Sequence, residues 1–150
     1  MQTTSDHAPG SLLSSLLIAL HWIDDSLQAR LEAAGWPRVN FSKSMVMANL
    51  LNGVSRPADL ARNLGVSRQA IFRTLAEMTQ DGLVVVQDDP HDRRAKIVSF
   101  NSGASELMRD ALRALAAIQD DLALRLGRAE LDHLIATLAR DWGPLSTGAE

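Results

Sequence analysis

The sequence predicts a mainly α-helical fold with one small β-hairpin, and three observations lead there. Apolar residues recur at three- and four-residue steps along most of the 150 residues. The period changes once, at the β-branched run Leu83-Val84-Val85-Val86, and glycines stand where helical stretches stop.

Taken in order, Leu12, Leu13, Leu16, Leu20, Ile23, Leu27 and Leu31 mark a long amphipathic helix over 11–35, ended by Gly35-Trp36-Pro37. Ser42 is the expected N-cap of a second helix through Met45, Val46, Leu50 and Leu51, closed by Asn52-Gly53. Pro57 suits the first turn of a short third helix that Gly65 ends, and Ser67 caps a fourth with Ile71, Leu75 and Met78 inward and Gly82 as its stop. Two β-prone runs, from Leu83 and from Ala95 to Phe100, flank the turn formers Asp88 to Arg93, with Asp88-Asp89-Pro90 making the reversal. Asn101 caps a fifth helix bearing Leu107, Met108, Leu112, Leu115, Ile118 and Leu122, and Gly127 separates it from a last one. Residues 1–10 and 144–150 are small, polar and proline-marked, and read as flexible ends.

Composition narrows the function. With no cysteine there is no disulfide, thiol sensor, cysteine nucleophile or zinc–thiolate cluster. The apolar run from Leu12 to Ile23, interrupted by Ser14, Ser15 and His21, is too short for a bilayer, which needs about 20 apolar residues. No phosphate-cradling glycine loop, nucleophile elbow or spaced catalytic cluster is present, so no catalytic residue and no cofactor is expected. His91 beside Asp88, Asp89 and Asp92 raises a metal reading, but carboxylates in a tip loop without a glycine-shaped cage do not make a hard-cation site, and none is expected. A net charge of −3 speaks mildly against nucleic acid. Its distribution speaks the other way, because Arg56, Arg62, Arg68, Arg73, Arg93, Arg94 and Lys96, 7 of the 15 basic residues, fall between Ser55 and Phe100.

The stretch LARNLGVSRQAIFRTL, Leu60 to Leu75, has helix-turn-helix spacing. Ala61 is small where two helices cross, Gly65 can take the left-handed turn, and Ile71 wedges between the helices. A plain helical hairpin fits the same spacing, and the β-hairpin that follows favours the helix-turn-helix. With Ile71, Leu75 and Met78 inward, Gln69, Phe72 and Arg73 face out beside Arg68. Gln69 can read an adenine edge, the arginines guanine or phosphate, and Phe72 a thymine methyl.

LARNLGVSRQAIFRTLAEMTQDGLV followed by DPHDRRAKIVSF resembles the winged helix-turn-helix of the MarR family of bacterial transcription regulators, whose wing reads as a D-x-x-D-R-R-A run. The resemblance implies a winged helix-turn-helix domain over 41–100, flanked by dimerisation helices over 11–35 and 101–143. It implies DNA contacts from Ser67, Arg68, Gln69 and Arg73, with Arg94 in the minor groove and Asp92 orienting the wing arginine through an ion pair; Arg93 and Lys96 join this surface as basic neighbours, and Phe72 either joins it or packs against the hairpin. Two departures are visible: Val84-Val85-Val86-Gln87 lacks the arginine often found there, and FNSGASEL replaces the family's Leu-Thr-x-x-Gly opening.

The first and last helices hold more leucine than a small winged domain buries. Leu13, Leu16, Leu17 and Leu20 with Leu131, Leu134, Ile135 and Leu138 are therefore expected to join two copies, placing the recognition helices about 34 Å apart. An aromatic or lipophilic effector is expected among His21, Trp22, Trp36, Phe41, Met45 and Asn49. The function so implied is a homodimeric, sequence-specific double-stranded DNA-binding regulator, a repressor on a pseudo-palindromic operator released by its effector, in the bacterial cytoplasm and on the nucleoid when bound. The rival reading is a dimeric winged-helix adaptor that binds proteins and no DNA.

Overall fold

The computed structural model describes residues 11–146, so the end expected to be flexible over 1–10, and 147–150 of the tail, lie outside the described residues. Six helices and one hairpin follow in order: α1 Leu12–Ala33, α2 Phe41–Leu51, α3 Pro57–Leu64, α4 Arg68–Gln80, β1 Val84–Asp89, β2 Asp92–Phe100, a 3-10 turn Ser102–Ala104, α5 Ser105–Leu126 and α6 Arg128–Leu138. The chain forms two compact units, Met1–Ala114 and Leu115–Glu150, whose boundary falls inside α5.

The core of the first unit is built on the helix-turn-helix. Leu60 and Ala61 of α3, Ile71, Leu75 and Met78 of α4, Val46 and Met47 of α2, and Val84 and Val98 of the hairpin are all buried. Gly65 closes α3 at φ 63°, ψ 30°, a left-handed conformation that a side chain disfavours, and Val66 N–H donates back to Ala61 O at 3.0 Å. Ser67 Oγ then accepts the Ala70 N–H at 3.1 Å and starts α4 as the sequence indicates.

Two caps differ from expectation. Asn40, not Ser42, begins α2: its side-chain oxygen accepts the Lys43 N–H at 3.0 Å, and asparagine caps as well as serine while starting the helix two residues sooner. Asn101 caps the 3-10 turn rather than α5 itself, and α5 grows out of that turn.

The long stripe expected along α1 is divided. Leu27 and Leu31 are buried, but Leu12, Leu13, Leu17, Ile18 and Leu20 face solvent in the single chain. Between them a buried polar group joins α1 to α2. Ser44 Oγ donates to Asp24 Oδ1, Gln28 Nε2 donates to the same oxygen at 3.5 Å, and Val39 N–H donates to Gln28 Oε1 at 3.1 Å. Because no buried side-chain nitrogen or oxygen among the described residues lacks a partner, this contact orients the helices without an unsatisfied group.

The hairpin positions the wing. Its antiparallel register runs from Val84 opposite Phe100 to Asp88 opposite Lys96, then slips so that Asp89 lies opposite Asp92. Arg93, Arg94 and Ala95 consequently have no counterpart on β1, and the irregularity pushes them out at the tip. The reversal is therefore made by Pro90-His91, with Asp88 and Asp89 still in the strand. Val98 N–H donates to Ser55 O at 2.8 Å, tying β2 to the segment that leads into α3.

Truncating the centre of this core should be costly. Leu60→Ala is expected to lower stability by about 2–5 kcal/mol in urea unfolding, from lost burial and the cavity left behind; a loss below about 1 kcal/mol would mean that α3 and α4 do not share the core described.

Candidate nucleic-acid interface

Burial of Ile71, Leu75 and Met78 turns the other face of α4 outward, and Arg68, Gln69, Phe72 and Arg73 are all exposed there, with Ser67 at the amino end. Phe72 is 39% exposed on this face, so its ring is partly accessible to solvent. Arg93 and Arg94 are exposed at the wing tip.

The acidic residues of this region are mostly committed to partners. Asp59 pairs with Arg62, Asp88 with Lys96 at 2.6 Å, and Asp89 with Arg56 at 2.8 Å. Asp81 and Glu77 pair with Lys43 at 2.8 and 3.4 Å. Among the described residues, Arg68, Arg73, Arg93 and Arg94 make no ion pair. A segment near neutral by count thus presents uncompensated cations at two places, the outer face of α4 and the wing tip.

Three wing residues behave differently from the sequence expectation. Asp92 forms no ion pair with an arginine among the described residues; its Oδ1 accepts the backbone N–H of Arg94 at 3.0 Å, which shapes the chain and leaves the Arg94 guanidinium free. Lys96, expected on DNA, is held by Asp88, although both side chains are more than half exposed and such pairs open readily. Asp89, given no separate role by the sequence, is the buried carboxylate of the wing. Its Oδ1 accepts the His91 N–H at 2.9 Å and its Oδ2 accepts from Arg56 Nη2 at 2.8 Å.

The six residues expected around an effector make the following contacts. His21 stacks on Phe41 with ring centroids 4.6 Å apart. Asn49 donates to Met45 O at 2.9 Å and accepts from Asn63 at 3.0 Å. Trp36 donates to Asp110 Oδ2 at 2.9 Å, and Trp22 is exposed. A cleft of about 570 Å³ does exist in the first unit, lined by Trp36, Val39, Lys43, Leu83 and Leu107 among others, and of the six only Trp36 reaches it. The Asp81 carboxylate, with Glu77 beside it, holds the Lys43 ammonium above the usual lysine value despite partial burial, so this wall of the cleft carries a Lys43–Asp81 ion pair.

Residues 39–95 match the family model of the MarR family. The fold as a whole is similar to that of the transcriptional regulator PA4135, at 20% identity over 86% of this chain and 93% of that one, with a TM-score of 0.70. It is also similar to E. coli MarR in its apo form, at 19% identity over 85% of this chain and 96% of that one, TM-score 0.62. A mutant E. coli MarR complexed with operator DNA matches at 19% identity over 85% and 94%, TM-score 0.61. The fold is thus the winged helix-turn-helix fold of these solved structures. The matched segment, 39–95, carries the helix-turn-helix and wing, and over it the chain is similar to the MarR family.

The two bonds to Asp89 have a measurable consequence. The His91 N–H, with the Arg56 guanidinium beside it, holds the Asp89 carboxyl below the ordinary aspartate value of 3.8, against the opposing effect of burial. A depressed folded value means that its contribution is full above about pH 4, where the unfolded carboxyl is also ionised, and is lost as pH falls through the lower folded value. Carboxyl NMR titration is expected to give Asp89 a midpoint below 3.8, and a midpoint at or above it would contradict the two bonds.

Proposed function

We propose that the protein is a homodimeric, sequence-specific regulator that binds duplex DNA through α4 and the wing and acts as a repressor. The observation that carries this reading is the set of arginines left without ionic partners, Arg68 and Arg73 on α4 and Arg93 and Arg94 at the wing tip, while neighbouring acids are neutralised within the fold. In the major groove, Gln69 can bond adenine bidentately and Arg68 or Arg73 can bond guanine N7 and O6, while Ser67 and the helix amino end favour phosphate. A guanidinium at the wing tip suits a narrow minor groove, where the negative potential is greatest. That E. coli MarR has been seen complexed with operator DNA supports carrying the same use of the fold to this chain.

Two copies are proposed because each unit leaves apolar side chains in water. In the first these are Leu12, Leu13, Leu17, Ile18 and Leu20 of α1; in the second they are Leu134, Ile135 and Leu138 of α6. Leu16 is half-buried and Leu131 is already buried in the single chain, so the former adds less to an interface than its exposed neighbours and the latter acts as core. For an effector, the cleft of Trp36, Lys43, Leu83 and Leu107 offers apolar walls beside the Lys43–Asp81 ion pair, which suits a small aromatic molecule with a polar group.

Binding of a random-sequence duplex is expected to fall steeply with salt, since each phosphate neutralised contributes about −0.9 to the log–log slope. Arg94→Ala is expected to weaken binding to a selected site by roughly tenfold or more, about 1–3 kcal/mol. Absence of any salt-sensitive binding by the wild type would leave the adaptor reading in its place. Light scattering of the full chain should give twice the 16.3 kDa chain mass, and a monomer at micromolar concentration would remove the dimer.

A further inference from the structure

We propose that Arg56 and Asp89 form a strap that fixes the wing against the amino end of α3, so that both are positioning residues for Arg94. The positioning half of this inference rests on the DNA-binding reading above; the strap itself does not.

The hairpin is a two-stranded sheet, and such a sheet has little stiffness of its own. At its base the two arms are closed by Asn101 N–H to Leu83 O at 3.0 Å, and β2 is held to the segment before α3 by Val98 N–H to Ser55 O at 2.8 Å. Beyond Val98 the strand runs on to Asp92, which at about 3.3 Å per residue is about 20 Å of unsupported ribbon. A tilt of ten degrees at the base would move such a tip by about 3–4 Å, several times the tolerance within which a contact geometry stays productive. Among the described residues the Arg56–Asp89 ion pair reaches out this far. Asp88, Pro90, His91, Asp92, Arg93 and Arg94 are all exposed, whereas the Asp89 side chain is only 6% exposed and bonds to Arg56.

The chemistry suits a strap. The two oxygens of Asp89 have separate tasks: Oδ1 takes the His91 N–H and closes the loop, and Oδ2 takes the Arg56 guanidinium. Arg56 occupies the cap position of α3 and follows Ser55, whose carbonyl already holds β2. Adjacent residues of one segment therefore grip both strands of the hairpin, one by backbone and one by side chain. The neighbouring Asp88–Lys96 pair, exposed on both sides and lying within the hairpin, cannot do this. Removing Arg56 leaves a buried carboxylate without its counter-charge, which favours opening of the tip, and removing the Asp89 charge releases a half-exposed guanidinium and loosens it.

The test uses the full chain. Asp89→Asn keeps the shape and the acceptor for His91 N–H but removes the charge that holds Arg56; Arg56→Gln removes the other half from a side chain that is half exposed, so the core is untouched. Hydrogen exchange of the amides of residues 91–95 is expected to accelerate at least fivefold in each variant with little change in melting temperature. Unchanged exchange would overturn the strap. In DNA binding, each variant is expected to lose about three- to tenfold, although Asp89→Asn deletes a negative charge and simple repulsion predicts tighter binding. In an Arg94→Ala background the further loss from Asp89→Asn should vanish, because there is no guanidinium left to position. A loss that persists unchanged there, or a gain in affinity from Asp89→Asn, would overturn the positioning role. If the wild type binds no DNA, the functional reading and the positioning role fall together, and the exchange measurement alone decides whether the strap exists.

Discussion

The complete burial of Ile71, Leu75 and Met78 is the constraint from which the rest of the site follows. Three inward side chains on a 13-residue helix fix its rotation about its own axis, and a fixed rotation decides that Gln69, Phe72 and Arg73 meet solvent. The turn at Gly65 and the cap at Ser67 determine where that helix begins, and hence that Arg68 stands at its amino end. Leu60 and Ala61 below and Val84 and Val98 beside it complete the packing, so the hairpin is held to the same core that orients the helix. A binding surface made of flexible arginines is useful only on a base of this rigidity.

Charge is organised by pairing rather than by excess. The chain is acidic overall, and the region from Ser55 to Phe100 has nearly as many acids as bases. What distinguishes it is which members are neutralised. The acids bond to Lys43, Arg56, Arg62 and Lys96, and these bonds also brace α2 against α4 and the wing against α3. The arginines of the outer face are left unpaired among the described residues. An ion pair of this kind spends two opposite charges on geometry and unmasks a third.

Much of this was legible in the sequence, for physical reasons that differ by element. The helix-turn-helix was readable because Ala61, Gly65, Ser67 and Ile71 each answer a local requirement at fixed spacing, and local requirements show in one dimension. The hairpin was readable from the change of period at Leu83. The role of Asp89 was not, because nothing local separates it from Asp88 and Asp92. Only the slip in register after Asp88 rotates it inward, and only the fold brings Arg56, 33 residues earlier, to meet it. The buried Asp24–Ser44–Gln28 contact was hidden for the same reason: a polar residue on a leucine-rich helix reads as surface until its partner from α2 is known. Of the effector residues only Trp36 lines the cleft, and the stacking of His21 on Phe41 joins two helices whose pairing no local spacing reveals.

The central claim is that the outward face of α4 enters the major groove while the wing tip enters the minor groove, in two symmetric copies. Dimethyl sulfate footprinting on a duplex selected from a random pool separates these grooves, since it reports guanine N7 in the major groove and adenine N3 in the minor groove. The account predicts protected guanine N7 positions in two major grooves about 10–10.5 base pairs apart, with protected adenine N3 positions in the flanking minor grooves. Protection confined to one groove, or none on any selected duplex, would contradict it.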